Sequence, residues 1–324
     1  MAIDDQFARW MRRRQTAAMC LVGVWFSSGC NLDDLFEAHG GFRETSSYRA
    51  SYDDTLLELA RQYKLGYVEI VAANPDTDPW IPGEGTDVIL PTIHLMPSLN
   101  DAEPEGIIIN LADMRLYYFQ KRGDAPQSFP IGIGRDGLGT PTGETKIVGK
   151  RANPAWHPTE RMRKEDPELP AVVPPGPDNP LGAHAMYLGW SQYLIHGTNQ
   201  PWGVGRRVSS GCVRMYPEDV DTLFGMVEIG TKVAIIDQPI KFGWIGDELY
   251  MEAHPTQKQS DQLEAKGEFD RKLDNSVVDQ AIAVAGKDRS RLDWSRIRRA
   301  TIERRGYPVR ITYERSQFRS SKLE

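Results

Sequence analysis

Ile107-Ile108-Ile109-Asn110, Met114-Arg115-Leu116-Tyr117-Tyr118-Phe119, Phe129-Pro130-Ile131-Gly132-Ile133-Gly134 and Glu144-Thr145-Lys146-Ile147-Val148-Gly149 follow one another along one short span of the chain. The first run opens with three isoleucines, as in a strand buried on both faces, and Asn110-Leu111-Ala112-Asp113 makes the turn to the second. No long amphipathic helix separates these segments. The pattern therefore predicts a mainly β fold, an antiparallel sandwich or barrel-like domain, in place of βαβ units. Gly132, Gly134, Gly137 and Gly139 superficially suggest a phosphate-binding loop, but no helix opens after them and no Lys-Ser/Thr follows.

On the N-terminal side, a Pro/Asp/Glu-rich linker near 97–106 leads back to a segment of about fifty residues, 48–97. Asp54 or Thr55 can cap a helix in which Leu56, Leu59, Ala60 and Tyr63 recur at helical spacing, and a second short helix follows over Tyr67 to Ala72. Trp80-Ile81-Pro82-Gly83 reads as a turn and Asp87 to Pro91 as a closing strand. The order strand, helix, helix, strand makes a small autonomous module. Its Thr55-Leu56, Leu59-Ala60, Asn74-Pro75 and Leu90-Pro91 resemble the landmarks of a LysM domain, and that resemblance implies peptidoglycan glycan as a ligand. The same residues would also serve a domain that only packs beside its neighbour.

Residues 1–30 read as an address. Arg9, Arg12, Arg13 and Arg14 precede an apolar stretch from Ala17 to Phe26, and Ser27-Ser28-Gly29-Cys30 follows. Charged, apolar and then small residues is the order of an export signal, and an apolar run of roughly ten is short of the ~20 needed to span a membrane. The end of the segment resembles a lipoprotein processing site, with Ser27 where an apolar residue is usual. Lipidation of Cys30 would tether an exported, periplasmic protein to a membrane; ordinary signal cleavage and a retained apolar helix are the alternatives. Residues 31–47 would be linker.

On the C-terminal side, residues 150–180 are rich in Pro and charge and suit a long surface loop, of the kind that often serves as a lid. Strand-like stretches return at 185–188 and 193–196. Pro217 suits the first turn of a short helix with Val220, Leu223, Phe224 and Val227 on one face. Residues 105–240 would form the main domain and 241–254 a strand extension of it. The charged remainder, 255–324, shows one helix, from Ser276 to Ala285, and no assignable role.

The chain of 324 residues carries a net charge of −6 and lacks the broad basic face that nucleic-acid binding needs, so no nucleic-acid partner is expected. Its three cysteines are Cys20, Cys30 and Cys212. With two of them in the address segment, no disulfide framework is available, and Cys212 is either a buried hydrophobe or a reactive group.

A thiol near its ordinary pKa of ~8.5 is a few per cent thiolate at neutral pH and needs a base or a positive field to act as nucleophile. His196 stands out among six histidines, ending an apolar strand and followed by Gly197, which allows close backbone approach. Sixteen positions (212 minus 196) separate it from Cys212. That is enough for the intervening loop to fold back, although two such residues could equally be unrelated core positions. Gly211 would let the amides of Gly211 and Cys212 face a developing oxyanion. His39, His94, His157, His184 and His254 form no pair at metal-ligand spacing, so no metal and no cofactor are expected.

His196-Gly197-Thr198 followed by Ser209-Ser210-Gly211-Cys212-Val213-Arg214 is similar to the signature of the L,D-transpeptidase (YkuD) catalytic domain. Thr140-Pro141-Thr142-Gly143 and Asn179-Pro180-Leu181-Gly182 support the likeness, which covers roughly residues 105–254. The resemblance implies that Cys212 attacks the carbonyl of the third residue of a peptidoglycan stem peptide, expelling D-alanine and leaving a thioester. It implies His196 as the base, the Gly197 carbonyl as its orienting partner, and Gly211, Ser210, Ser209 and Arg214 around the oxyanion and substrate. Many relatives have His where Ser210 stands, so a second imidazole is not available here. The acceptor would be an amine of a stem peptide, a partner protein or a free amine. Water as acceptor, making a carboxypeptidase or amidase, and a non-catalytic wall anchor are the competing readings.

Overall fold

A computed structural model describes residues 45–98 and 104–314. The expected signal segment with Cys30 lies outside the described residues.

The N-terminal segment folds in the expected order: β1 (Ser46–Arg49), α1 (Leu56–Gln62), α2 (Tyr67–Ala73) and β2 (Asp87–Leu90). Thr55 caps α1, its Oγ1 accepting from the Glu58 amide at 3.1 Å. Asn74 joins the end of α2 to β2, donating to the Ile70 and Ile89 carbonyls at 2.8 Å and accepting from the Ile89 amide at 2.7 Å. Autonomy, however, is not what packing gives. Leu56, Leu59, Ile70 and Val71 belong to the same buried cluster as Ile107, Ile131, Ile195 and Val213. Every residue of α2 is buried, and its Glu69 forms a buried ion pair at 2.9 Å with Arg115 of the neighbouring sheet. Fifty residues cover too little apolar surface by themselves, and sharing a core solves that.

The sheet is built from β3 (Gly106–Asn110), β4 (Arg115–Phe119), β5 (Gln127–Gly134), β6 (Gly143–Ala152), β7 (His184–Leu188), β8 (Leu194–His196), β9 (Arg207–Ser209), β10 (Val213–Met215) and β11 (Lys232–Ile236). Between β6 and β7 the long connection holds one short helix, α3 (Glu160–Glu165), and after β10 comes α4 (Pro217–Met226), opened by Pro217 as expected. Strand order is β10-β8-β7-β6-β11-β3-β4-β5, with β5 also pairing β10, so the sheet closes into a barrel-like ring. Closure removes the unpaired edges an open sheet would expose.

The expectation of a purely antiparallel sheet needs correction. β8–β10, β3–β11 and β5–β9 run parallel. Parallel neighbours require a long crossover, and the connection of residues 197–212 between β8 and β10 supplies one without a long helix.

Residues 241–254 do not extend this ring. β12 (Ile240–Ile245) and β13 (Glu248–Ala253) pair with each other and with β14 (Pro308–Arg310) in a separate three-stranded sheet. Against it pack residues of α6 (Ser276–Ala285) and α7 (Trp294–Glu303), in a cluster holding Leu249, Met251, Val277, Ala281 and Ile297. α5 (Gln257–Lys266) precedes them and buries only Ser260 and Leu263, too few apolar positions to show a helical period in the sequence.

Candidate active site

The parallel register of β8 and β10 sets Ile195 beside Val213 and His196 beside Arg214. Cys212 immediately precedes β10, and its Sγ reaches the Gln192 carbonyl, two residues ahead of β8. The charge of Arg214 acts on both His196 and Cys212.

His196 is buried, and its Nδ1 lies 2.6 Å from the Gly197 carbonyl oxygen. A carbonyl can only accept, which places the proton on Nδ1 and leaves the Nε2 lone pair free. Burial first, then the Arg214 charge, lowers the imidazole pKa to about 4, with the Gly197 carbonyl opposing. At neutral pH it is a neutral base. The turn behind it is tight: a Cβ at Gly197 would stand 3.0 Å from Val220 Cγ1 and 3.3 Å from the Leu181 carbonyl oxygen. Buried Asn179 holds that backing, accepting from the Leu181 amide at 2.8 Å and donating to the Pro154 carbonyl at 2.8 Å. The Asn179-Pro180-Leu181-Gly182 motif thus acts on His196 through packing.

Cys212 is half-buried, and its Sγ donates to the Gln192 carbonyl at 3.4 Å. Burial raises the thiol pKa, against lowering by the Leu194 amide and the Arg214 charge. The resting thiol is therefore neutral. Buried Ser209 pins the turn before it, Oγ accepting from the Gly211 amide at 3.2 Å and donating to the Cys212 carbonyl at 2.5 Å. Thr140 Oγ1 donates to the Gly211 carbonyl at 2.9 Å and accepts from the Gly134 amide at 3.0 Å. Gly211 has φ +104°, a conformation that favours glycine. One expectation changes: the Gly211 amide is engaged by Ser209 and does not face an oxyanion.

Ser210 lies at the surface of the turn, its Oγ accepting from Arg161 of α3 at 3.0 Å. Arg161 is also held by Glu165 at 2.6 Å and 2.7 Å, so α3 of the 150–180 segment touches the 209–212 turn through this one side chain. Arg214 is half-buried, and its Nε has no hydrogen-bond partner among the described residues. Arg206 and Arg207 are both held by neighbouring elements. The Arg206 guanidinium lies 3.7 Å over the Tyr67 ring, and Arg207 pairs with Asp261 of α5.

Asp113, Glu252 and His254 are the one cluster of potential metal ligands among the described residues. The Lys241 ammonium already sits among them, 2.9 Å from Asp113 and 2.6 Å from Glu252, which makes the cluster an ion-pair knot.

The profile of the YkuD family, described as the L,D-transpeptidase catalytic domain, matches residues 104–235. "Probable L,D-transpeptidase YcfS" of Escherichia coli K12 is 40% identical over 251 residues, covering 74% of this chain and 77% of that protein. "Probable L,D-transpeptidase ErfK/SrfK" of the same organism is 38% identical over 261 residues, covering 78% and 81%. Among solved structures, the catalytic domain of the Enterococcus faecium L,D-transpeptidase shares 26% identity, covering 42% of this chain and 100% of that one, with a TM-score of 0.34. With relatives 40% and 38% identical aligned along most of their own length, the chain belongs to the L,D-transpeptidase family.

Proposed function

We propose that this protein is a peptidoglycan L,D-transpeptidase working through a Cys212 thioester. The observation that carries the reading is a neutral imidazole, its Nδ1–H fixed on the Gly197 carbonyl at the end of β8, on the strand paired in parallel with the one that Cys212 immediately precedes. The Sγ proton leaves the Gln192 carbonyl and passes to His196 Nε2 as sulfur attacks the carbonyl of the third stem-peptide residue. The tetrahedral oxyanion is met by the Cys212 amide, since Ser209 occupies that of Gly211. Collapse breaks the bond to D-alanine, whose amine takes the proton from His196, and leaves the thioester. An acceptor amine then gives a proton to His196, attacks the thioester and releases the sulfur, which is reprotonated.

Arg214, with a buried and unpartnered Nε beside the thiol, suits a substrate carboxylate. The N-terminal module would hold the glycan strand, for which the exposed Trp80, Ile81 and Tyr52 provide apolar and stacking surface. Such a protein works outside the cytoplasm, with the 1–30 segment as its export signal and Cys30 as the site of a lipid anchor.

Purified protein incubated with tetrapeptide-bearing muropeptides tests the reading by product mass. A dimer or an amine-exchanged peptide with loss of alanine supports it. A tripeptide as the sole product would mean that water is the acceptor, and no product at all would sink the enzyme reading.

A further inference from the structure

The crossover that carries the nucleophile is gripped from two sides by parts of the chain outside the barrel. From the N-terminal module, the amides of Tyr67 and Val68 donate to the Val204 and Gly205 carbonyls at 3.4 Å and 3.0 Å. A Cβ on Gly205 would stand 2.1 Å from the Tyr67 amide nitrogen, so the two backbones are in direct contact. From the C-terminal extension, α5 meets the two arginines that follow: Glu264 lies 3.7 Å from Arg206, and Arg207 binds the Asp261 carboxylate and donates to the Gln257 carbonyl at 3.0 Å. The Arg207 side chain is 7% exposed, whereas ordinary loop arginines keep their charge in water.

Arg207 opens β9, the strand that ends at Ser209. Ser209 in turn fixes the Gly211 amide and the Cys212 carbonyl. β9 pairs with β5 at two positions with a register shift between them, and backbone bonds from Ile133 to the Arg206 carbonyl and from Arg135 to the Ser209 carbonyl, each 3.0 Å, flank it, so its side-chain anchor acts on an irregular stretch of the ladder. Arg207 Nη1, bound to both the Asp261 carboxylate and the Gln257 carbonyl of α5, adds a restraint from outside the barrel.

We propose that Arg207, through Asp261 and the Gln257 carbonyl, is a positioning residue that sets the 209–212 turn, and that the C-terminal extension is thereby part of the catalytic apparatus. This rests on Cys212 being the nucleophile. The role is geometric: loss of the anchor lets β9 and the nucleophile turn shift relative to His196, and displacements on the order of 1 Å at a reacting centre cost up to ~100-fold in rate.

The test compares the full chain with Asp261→Asn, Asp261→Glu and Arg207→Lys variants, each checked for folding by circular dichroism, in acyl transfer from a tetrapeptide donor and in mass-spectrometric acylation of Cys212. Asp261→Asn and Arg207→Lys should lower kcat by about 10- to 100-fold with KM within about twofold, and Asp261→Glu should recover most of kcat. Pairing Asp261→Asn with Arg207→Lys should cost no more than either alone, because both remove one restraint. A folded Asp261→Asn chain with wild-type kcat overturns the positioning role. Should Asp261→Asn fail to fold, Arg207→Lys and Asp261→Glu decide: wild-type kcat in the former, or no recovery in the latter, overturns it as well. A wild type that forms no Cys212 adduct overturns the thioester reading itself, a distinct outcome.

Discussion

Arg214 stands directly beside His196 on the neighbouring parallel strand, and its positive charge, after burial, helps to hold the imidazole pKa at about 4. The same charge favours the thiolate of Cys212, whose pKa burial raises. Burial first and this guanidinium second keep the imidazole unprotonated, and the guanidinium also eases ionisation of the thiol. With the imidazole pKa at about 4 and the thiol pKa raised by burial, both groups rest neutral, and the Arg214 charge opposes that only on the thiol side.

Replacement of Cys212 tests the proposed thioester. Cys212→Ala should abolish acyl transfer, and His196→Gln should lower it by about 100- to 10,000-fold while leaving the fold intact. A carbapenem should add one covalent mass to the wild type at Cys212 and none to Cys212→Ala. An adduct that persists in Cys212→Ala would move the nucleophile elsewhere.

A pH dependence of stability follows from the buried imidazole. A base whose folded pKa of about 4 lies below its ordinary 6.5 binds fewer protons when folded, so stability rises with pH between those values. Going down, it is lost from about pH 6.5 and levels off below about 4, by up to about 3 kcal/mol from this group. His94, buried with its pKa also lowered, adds a contribution of the same sign. Urea midpoints at pH 4.5 and 7.5 should lie closer together in His196→Gln than in the wild type. An unchanged gap would mean that His196 is not buried in its neutral form.

Gly211→Ala should damage the site by geometry alone. Its φ of +104° disfavours any Cβ, and that Cβ would lie 2.8 Å from the Tyr193 ring. A loss of about 1–3 kcal/mol in stability is expected, with a fall in acylation of Cys212 even in the folded fraction. A fully active, stable Gly211→Ala chain, by thermal melting and product mass, would contradict the turn.

The buried Glu69–Arg115 pair makes the N-terminal module and the barrel one cooperative unit. Glu69→Ala strands a buried guanidinium and should cost about 3–5 kcal/mol. Because the two parts share a core, fluorescence and circular dichroism should still report a single coincident unfolding transition. Two separate transitions in the wild type would show that the module folds by itself.

Most of the ring was legible in the sequence, because strands buried on both faces are apolar in long runs: 107–110, 114–119 and 129–134 reappear as β3, β4 and β5 with small changes at their ends. The C-terminal helix over Ser276–Ala285 was legible for the matching reason, an apolar period of 3.6. β11 passed unread, since Lys232–Ile236 is short and follows a helix and a turn; its meaning comes from β3, over a hundred residues away.

By itself the sequence determined which residues can do chemistry here: one interior thiol at 212, a histidine at 196 closed by glycine, and glycines where the chain must turn sharply. Tertiary structure alone decided that β8 and β10 are parallel neighbours, that the Gly211 amide belongs to Ser209, and that Arg206 and Arg207 are held by Tyr67, Glu264 and Asp261. The reason is physical. Local patterns report burial and backbone preference, whereas parallel pairing and ion-pair partners join segments whose separation along the chain carries no local signal.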